Sequence, residues 1–165
     1  MEKFKKILKE YLPYVVIIIV VLIIKSNIVA PIRVNGKSMN NTLKNGDIMI
    51  LDIIGYRTSK LKRFDIVVID NGKDYLIKRV IGLPNEEIEY KDNKLYVNGK
   101  LIKDKYSKGK TNDFKVTVNN NSYYVLGDNR EDSLDSRYYG SFNKKKILGK
   151  TNFTVFPFNR FGNKK

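Results

Sequence analysis

Phe64-Asp65-Ile66-Val67-Val68-Ile69-Asp70-Asn71-Gly72-Lys73-Asp74-Tyr75-Leu76-Ile77-Lys78-Arg79-Val80-Ile81 decides the fold. Two runs rich in β-branched and aliphatic residues flank Asn71-Gly72, a pair that readily supplies the left-handed backbone of a tight hairpin turn. The stretch therefore reads as strand, turn, strand. Downstream, the turns at Asp92-Asn93 and Asn98-Gly99 divide Glu87 to Tyr90, Leu95 to Val97 and Leu101-Ile102 into a meander. Lys103 to Asn112 is a polar, solvated loop, and Phe114, Val116 and Val118 alternate with Lys115 and Thr117 as a half-buried strand. Tyr123 to Leu126 and Ile147 to Phe156 complete the set, with Ile48 to Leu51 as a short buried strand upstream. No helical period is sustained past residue 30 and no repeat recurs. The expected fold is all-β, a twisted antiparallel sheet or barrel.

The N-terminus has a different texture. Lys3, Lys5, Lys6 and Lys9 precede an uncharged run from Tyr14 to Ile24, and Tyr11 to Ala30 holds 20 residues, the length that spans a bilayer. Lys25 lies near one end, where its stem can reach the interface, and Tyr11 and Tyr14 lie at the other. Ile28-Val29-Ala30 loosely resembles the end of a cleaved leader, but Pro31 makes the following bond a poor one to cut. The expectation is residues 1–10 as a cytoplasmic tail, 11–30 as a retained transmembrane helix, and 31–165 as an extracytoplasmic β domain with a small inserted subdomain at about 85–121.

Composition narrows the chemistry. The 165 residues, 42% hydrophobic, suffice for one modest domain with a real core. There is no cysteine and no histidine, which removes disulfides, thiolate metal sites and every Ser/His or Cys/His arrangement. Any serine nucleophile must use lysine, a carboxylate or a terminal amine as its base. The net charge is +15, and beyond residue 30 there are still 27 Lys and Arg against 15 Asp and Glu. The lysines are scattered and accompany no nucleic-acid motif, so anionic lipid is the better electrostatic partner.

Three stretches could carry chemistry. Val34-Asn35-Gly36-Lys37-Ser38-Met39-Asn40-Asn41-Thr42-Leu43 is bracketed by turns at Asn35-Gly36 and Asn45-Gly46, which places Ser38 on a connection between extended segments. An ordinary turn serine would look the same. In the Leu76 to Val80 strand, Lys78 shares a face with Leu76 and Val80, and apolar flanks are what a lysine needs to lose its proton near neutral pH. A lysine snorkelling from a strand edge is the plain alternative. Gly127 to Gly140 is dense in charge; if extended, it sets Ser133, Asp135 and Arg137 on one face, where a hydroxyl could orient a neutral lysine and an ion pair could hold the backbone. A calcium loop fails at Arg130, the third ligand position, and a solvated charged loop remains possible. Gly109-Lys110-Thr111 lacks the first glycine of a phosphate loop, and Ser141-Phe142-Asn143-Lys144 lacks the companion motifs of penicillin-binding enzymes.

Taken in order, Val34-x-Gly36-x-Ser38-Met39-x-x-Thr42-Leu43-x-x-Gly46-Asp47, then Lys78-Arg79-Val80-Ile81-Gly82-Leu83-Pro84, then Gly127-Asp128-Asn129-Arg130-x-x-Ser133-x-Asp135-Ser136-Arg137-x-x-Gly140 resemble the type I signal peptidases, especially the small single-anchor bacterial form. The resemblance implies that Ser38 is the nucleophile and Lys78 the general base of a Ser/Lys dyad. It implies that Ser133 orients the lysine, that Asp135 and Arg137 support the site, and that Asp128 and Arg130 are structural charges. Gly36 stands where some relatives carry a serine that stabilises the oxyanion, so backbone N–H groups would serve here. The implied substrates are signal peptides of exported preproteins, bound extended between Ile32 to Lys37 and Asp74 to Ile77, with Val34 and Leu76 among the contacts. The aromatic tail from Phe153 to Phe161 is expected near lipid, with Phe153 and Val155 in the core. No cofactor, metal or nucleic acid is implied.

Two positions depart from the family pattern. Asn41 replaces a usual proline and Asn85-Glu86 a usual Gly-Asp, changes expected to act on stability or rate. A membrane-anchored β domain that binds without chemistry is the alternative function.

Overall fold

The computed structural model describes residues 9–21 and 29–164. Residues 1–8 of the expected tail and 22–28 of the expected anchor lie outside them. Residues 9–21 form helix α1, whose apolar side chains from Tyr11 to Val21 are 46–62% exposed. Among the described residues no helix is long and apolar enough to cross a membrane.

The remainder is mostly β. Among the described residues twelve strands run in chain order as β1 (Val29–Arg33), β2 (Ile48–Asp52), β3 (Ile66–Asp70), β4 (Tyr75–Gly82), β5 (Glu87–Lys91), β6 (Lys94–Val97), β7 (Lys100–Ile102), β8 (Phe114–Thr117), β9 (Ser122–Leu126), β10 (Phe142–Asn143), β11 (Ile147–Phe156) and β12 (Gly162–Asn163). Two short helices, α2 (Ile54–Thr58) and α3 (Ser136–Tyr139), interrupt them. A larger curled antiparallel sheet has the order β1-β2-β11-β3-β4-β9-β10, with β12 paired to β11; a smaller one has the order β7-β6-β5-β8.

The central hairpin forms as its sequence predicts, with Asp70 opposite Tyr75 and Val67 opposite Lys78. Its first strand starts at Ile66 rather than Phe64, because Phe64 takes φ +71° and turns its carbonyl toward Arg79. The smaller sheet follows the expected meander: Asp92, Asn93 and Asn98 adopt the positive φ that such turns require. Its core, with Ile88, Tyr90, Leu95 and Val97, is continuous with Ile81, Tyr124 and Leu126 of the larger sheet. At the departure Asn85-Glu86, Asn85 sits at φ +66°, which asparagine tolerates. Glu86 pairs with Arg63 through two oxygens.

Four features differ from expectation. Val29 and Ala30, read as the end of the anchor, belong to β1 and pair with Asp52 and Leu51. Pro31 is accommodated because β1 is an edge strand, where one missing N–H breaks no ladder on the free side. Helix α2, too short to show a period, buries only Tyr56. The segment expected to run extended from Ser133 to Arg137 instead bends into α3, with Asp135 as its N-cap. Phe153 and Val155 are half-buried rather than core, and Phe153 packs edge-on against Phe161.

Candidate active site

Ser38 lies in the connection between β1 and β2, and its position is over-determined. At the neck of the loop, Val34 N–H donates to the Asp47 carbonyl and Gly46 N–H to the Val34 carbonyl, both at 2.8 Å. Gly36, at φ +91°, donates to Asn45 Oδ1, so the two predicted turns are tied to each other across the serine. Met39 and Leu43, joined by one helical hydrogen bond, are fully buried plugs that drive the loop into the cluster of Val34, Met49, Leu51, Ile66, Val68 and Ile77. From outside, Asn129 N–H donates to the Ser38 carbonyl at 2.9 Å, and Arg160 clamps Asp47 and the Thr42 carbonyl. Asn41 sits at φ +133°, a backbone region that proline cannot enter, so the missing family proline and this local conformation go together.

Lys78 comes to this loop from the middle of β4. Its Nζ lies 2.6 Å from Ser38 Oγ, although 40 residues separate them in sequence. The side chain is only 3% exposed. Burial lowers its pKa from 10.5 to about 8; Asp135 and Asp128 oppose that shift, and Arg137 assists it. A lysine at about 8 is roughly one-tenth neutral at pH 7, against about one part in 3,000 for an ordinary lysine. Burial is therefore what brings the amine within reach of its neutral form near neutral pH.

The Gly127–Gly140 segment closes the far side. Gly127 N–H donates to Asp135 Oδ2 at 3.0 Å, while Arg137 Nε and Nη2 reach the two Asp135 oxygens at 2.9 and 2.8 Å. Burial pushes the Asp135 carboxyl up, but the Arg137 guanidinium and the Gly127 N–H outweigh it and hold it below its usual value. Asp135 and Arg137 thus meet through a helix cap, not through strand alternation. The Ser133 hydroxyl is buried: it lies close enough to the Asp135 carboxylate to help hold it low, yet among the described residues it has no partner at regular hydrogen-bond geometry.

Gly127 makes the convergence possible. A Cβ there would sit 2.3 Å from Ser133 Oγ and 2.5 Å from the Ser38 carbonyl oxygen. Its φ is not the reason; the close approach is. Gly127→Ala is expected to displace the Ser38 backbone, lowering the cleavage rate by about 100-fold or more, the order caused by a 1 Å misplacement, and stability by about 1–3 kcal/mol. Rate and thermal midpoint measured on one preparation check both.

Besides Asp135–Arg137 and Asp47–Arg160, the charges around the site form two further, separate ion pairs. Asp128 meets Arg79, at 2.8 Å to Nε and 2.7 Å to Nη2, and also accepts from Thr42 Oγ1 of the serine loop. Arg130 instead joins Asp104 and the Tyr90 hydroxyl of the smaller sheet, and donates to the Gly127 carbonyl. Arg79, Thr42, Asn45, Asn129 and the Asp47–Arg160 pair went unassigned in the sequence. Alternation says only that Arg79 points away from Lys78, and nothing local names a partner 49 residues on.

A groove of about 880 Å³ leads to Ser38 and Lys78. One wall is Pro31 to Gly36 along β1, the other Asp70 and Gly72 to Lys78; Val34 and Leu76 both line it. Among the described residues the outer edge of β1 has no partner strand, and β4 meets β9 only from Arg79 onward, so both walls carry unpaired strand edges.

Comparison with known proteins gives a consistent result. The family described as signal peptidase, peptidase S26, matches residues 7–156. Signal peptidase IB of Staphylococcus aureus (strain COL) is 36% identical over 178 residues, covering 95% of this chain and 93% of that protein. Signal peptidase I S of Bacillus subtilis (strain 168) is 36% identical over 172 residues, covering 96% and 94%. The crystal structure of a signal peptidase I from Enterococcus faecalis V583 superposes with a TM-score of 0.51 at 36% identity, covering 56% of this chain and 97% of that one. With matches spanning nearly its whole length, the chain belongs to the signal peptidase family, peptidase S26.

Proposed function

We propose that Ser38 and Lys78 are the dyad with which this serine endopeptidase removes signal peptides from preproteins. The observation that carries the assignment is the 2.6 Å approach of a buried lysine, with pKa about 8, to the serine hydroxyl in a chain that has no histidine. Neutral Lys78 takes the Ser38 proton as Oγ attacks the carbonyl carbon before the scissile bond. The resulting Lys78 ammonium protonates the leaving nitrogen, the C–N bond breaks, and the signal peptide remains as an ester on Ser38. Lys78, neutral again, takes a proton from water, whose oxygen attacks the ester; Ser38 recovers its proton as it leaves.

Gly36 N–H is committed to Asn45, so the Ser38 N–H is the oxyanion donor in this reading. Asp135 and Arg137 hold Gly127, which lies against both the Ser38 carbonyl and the Ser133 hydroxyl, and in this reading that hydroxyl orients the Lys78 amine. Val34 and Leu76 contact the substrate, which adds as an extended strand between the free edges of β1 and β4; alternate side chains then face shallow pockets. The apolar α1 is the start of a single membrane anchor with the N-terminus in the cytoplasm and the catalytic domain outside. The exposed Phe156, Phe158 and Phe161 suit contact with lipid.

The deciding experiment is cleavage, in detergent, of a purified precursor with alanine at the first and third positions before its cut, with product sites read by mass spectrometry. Wild type should cut once, after the alanine, and Ser38→Ala should not cut. Because the neutral amine is the active form, kcat/KM should rise about tenfold per pH unit below 8 and level off above it; Asp135, held low, contributes nothing in that window. A flat profile from pH 6 to 9 would remove Lys78 as the base.

A further inference from the structure

We propose that a cationic face made by Arg57, Lys60 and Lys62 with Lys144, Lys145 and Lys146 docks on anionic phospholipid headgroups beside the anchor and so sets the tilt of the substrate groove. This rests on the anchored reading above. The two groups of cations are far apart in sequence but adjacent in the fold: the Tyr56 hydroxyl on α2 donates to the Lys144 carbonyl at 3.0 Å, and Tyr56, Leu61, Phe142 and Ile147 share one core cluster. With those four side chains turned inward, all six cations are exposed. Among the described residues none of the six lies within ion-pair distance of a carboxylate. Asp52 and Asp65, the acidic neighbours in sequence, are engaged with the Gly55 N–H and with the Lys62 N–H and Lys150 respectively.

Position decides what this charge meets. β1 begins at Val29, and Val29 lies opposite Asp52, the residue from which the chain turns directly into α2. The root of the cationic face is therefore beside the point where the chain arrives from the apolar N-terminal helix. Ile54 stands exposed among these cations, the mixture of one apolar side chain and several lysines or arginines that suits a headgroup layer. β1 is also one wall of the groove, so seating this face would hold the groove at a constant angle to a bilayer-embedded substrate. Each cation engaged at an anionic surface is worth about fivefold in occupancy, less at high salt.

The test uses the full chain reconstituted in vesicles of phosphatidylcholine, with or without phosphatidylglycerol. Wild type should cleave a membrane-embedded precursor about fivefold faster or more when phosphatidylglycerol is present, with the gain lost at high salt, and should cleave a short soluble peptide equally in both. Arg57→Gln/Lys144→Gln/Lys145→Gln/Lys146→Gln, and the milder Lys145→Gln/Lys146→Gln, should lose all or part of the gain while keeping the soluble-peptide rate and thermal midpoint. An equal gain in the variants, or none in wild type, overturns the proposal. Inhibition of the embedded reaction by soluble polyphosphate, with no phosphatidylglycerol gain, would assign the face to a free polyanion instead. Release of the chain from pure phosphatidylcholine vesicles by alkaline wash would overturn the anchored reading itself, a separate result.

Discussion

Lys78→Met is expected to abolish precursor cleavage and, in the same molecule, to raise the thermal midpoint. The loss follows from the chemistry: methionine fills the same buried volume but cannot take the Ser38 proton, and removing a member of such a dyad typically costs 10⁴-fold or more. The gain follows from linkage. Lys78 is 3% exposed, and burial lowers its pKa from 10.5 to about 8. Below pH 8 the folded protein holds a desolvated ammonium that the unfolded chain keeps in water, and the penalty is fully present. It shrinks as pH rises from 8 toward 10.5, where both states are neutral. At pH 7 the methionine variant should therefore be more stable by about 1–3 kcal/mol, and the gap should close by about pH 10.5. Thermal midpoints of wild type and variant at pH 7 and 10, in the same detergent, check the sign. A destabilised variant at pH 7 would mean that Lys78 is held as a paired, structural cation. Lys78→Arg should be equally inactive, because arginine does not give up its proton in this range.

Much of this arrangement is legible in the sequence because its determinants are local. Asn71-Gly72, Asp92-Asn93 and Asn98-Gly99 specify turns by their own backbone preferences, and the strands between them need only length and alternation. The apolar flanks of Lys78 likewise come from its own strand. What stays hidden depends on distant partners. The Ser133 to Arg137 segment alternates convincingly, yet Asp135 caps α3 because Gly127 and Arg137 supply better partners than an extended neighbour would. Helix α2 is fixed by Tyr56 reaching the Lys144 carbonyl, 88 residues away. The hydropathy of Val29 and Ala30 suits a membrane end and a strand equally, and only the pairing with β2 distinguishes them.

The Arg79–Asp128 pair is the place where stability and positioning can be separated. Both side chains are almost wholly buried, at 1% and 0% exposure, and Arg79 also donates to the Phe64 carbonyl and stacks on Tyr106 with its guanidinium 3.6 Å from the ring centre. Arg79→Met leaves an unpaired carboxylate in the core, a change that costs about 3–5 kcal/mol and so a large part of the stability of a domain this size. Arg79→Met/Asp128→Leu removes the charge with its partner, and apolar replacement of a buried pair is often neutral. Most of the lost midpoint should return. Activity should not, because Asp128 is also what Thr42 Oγ1 bonds to, and Thr42 belongs to the loop that carries Ser38. The expected pattern is a single variant that is both unstable and weak, and a double variant that is stable yet cleaves about 10- to 100-fold more slowly than wild type. Thermal midpoint and single-turnover rate, measured together, decide it: recovery of both would make the pair purely structural, whereas recovery of stability alone assigns Asp128 a hold on the nucleophile loop that its charge pairing with Arg79 does not explain.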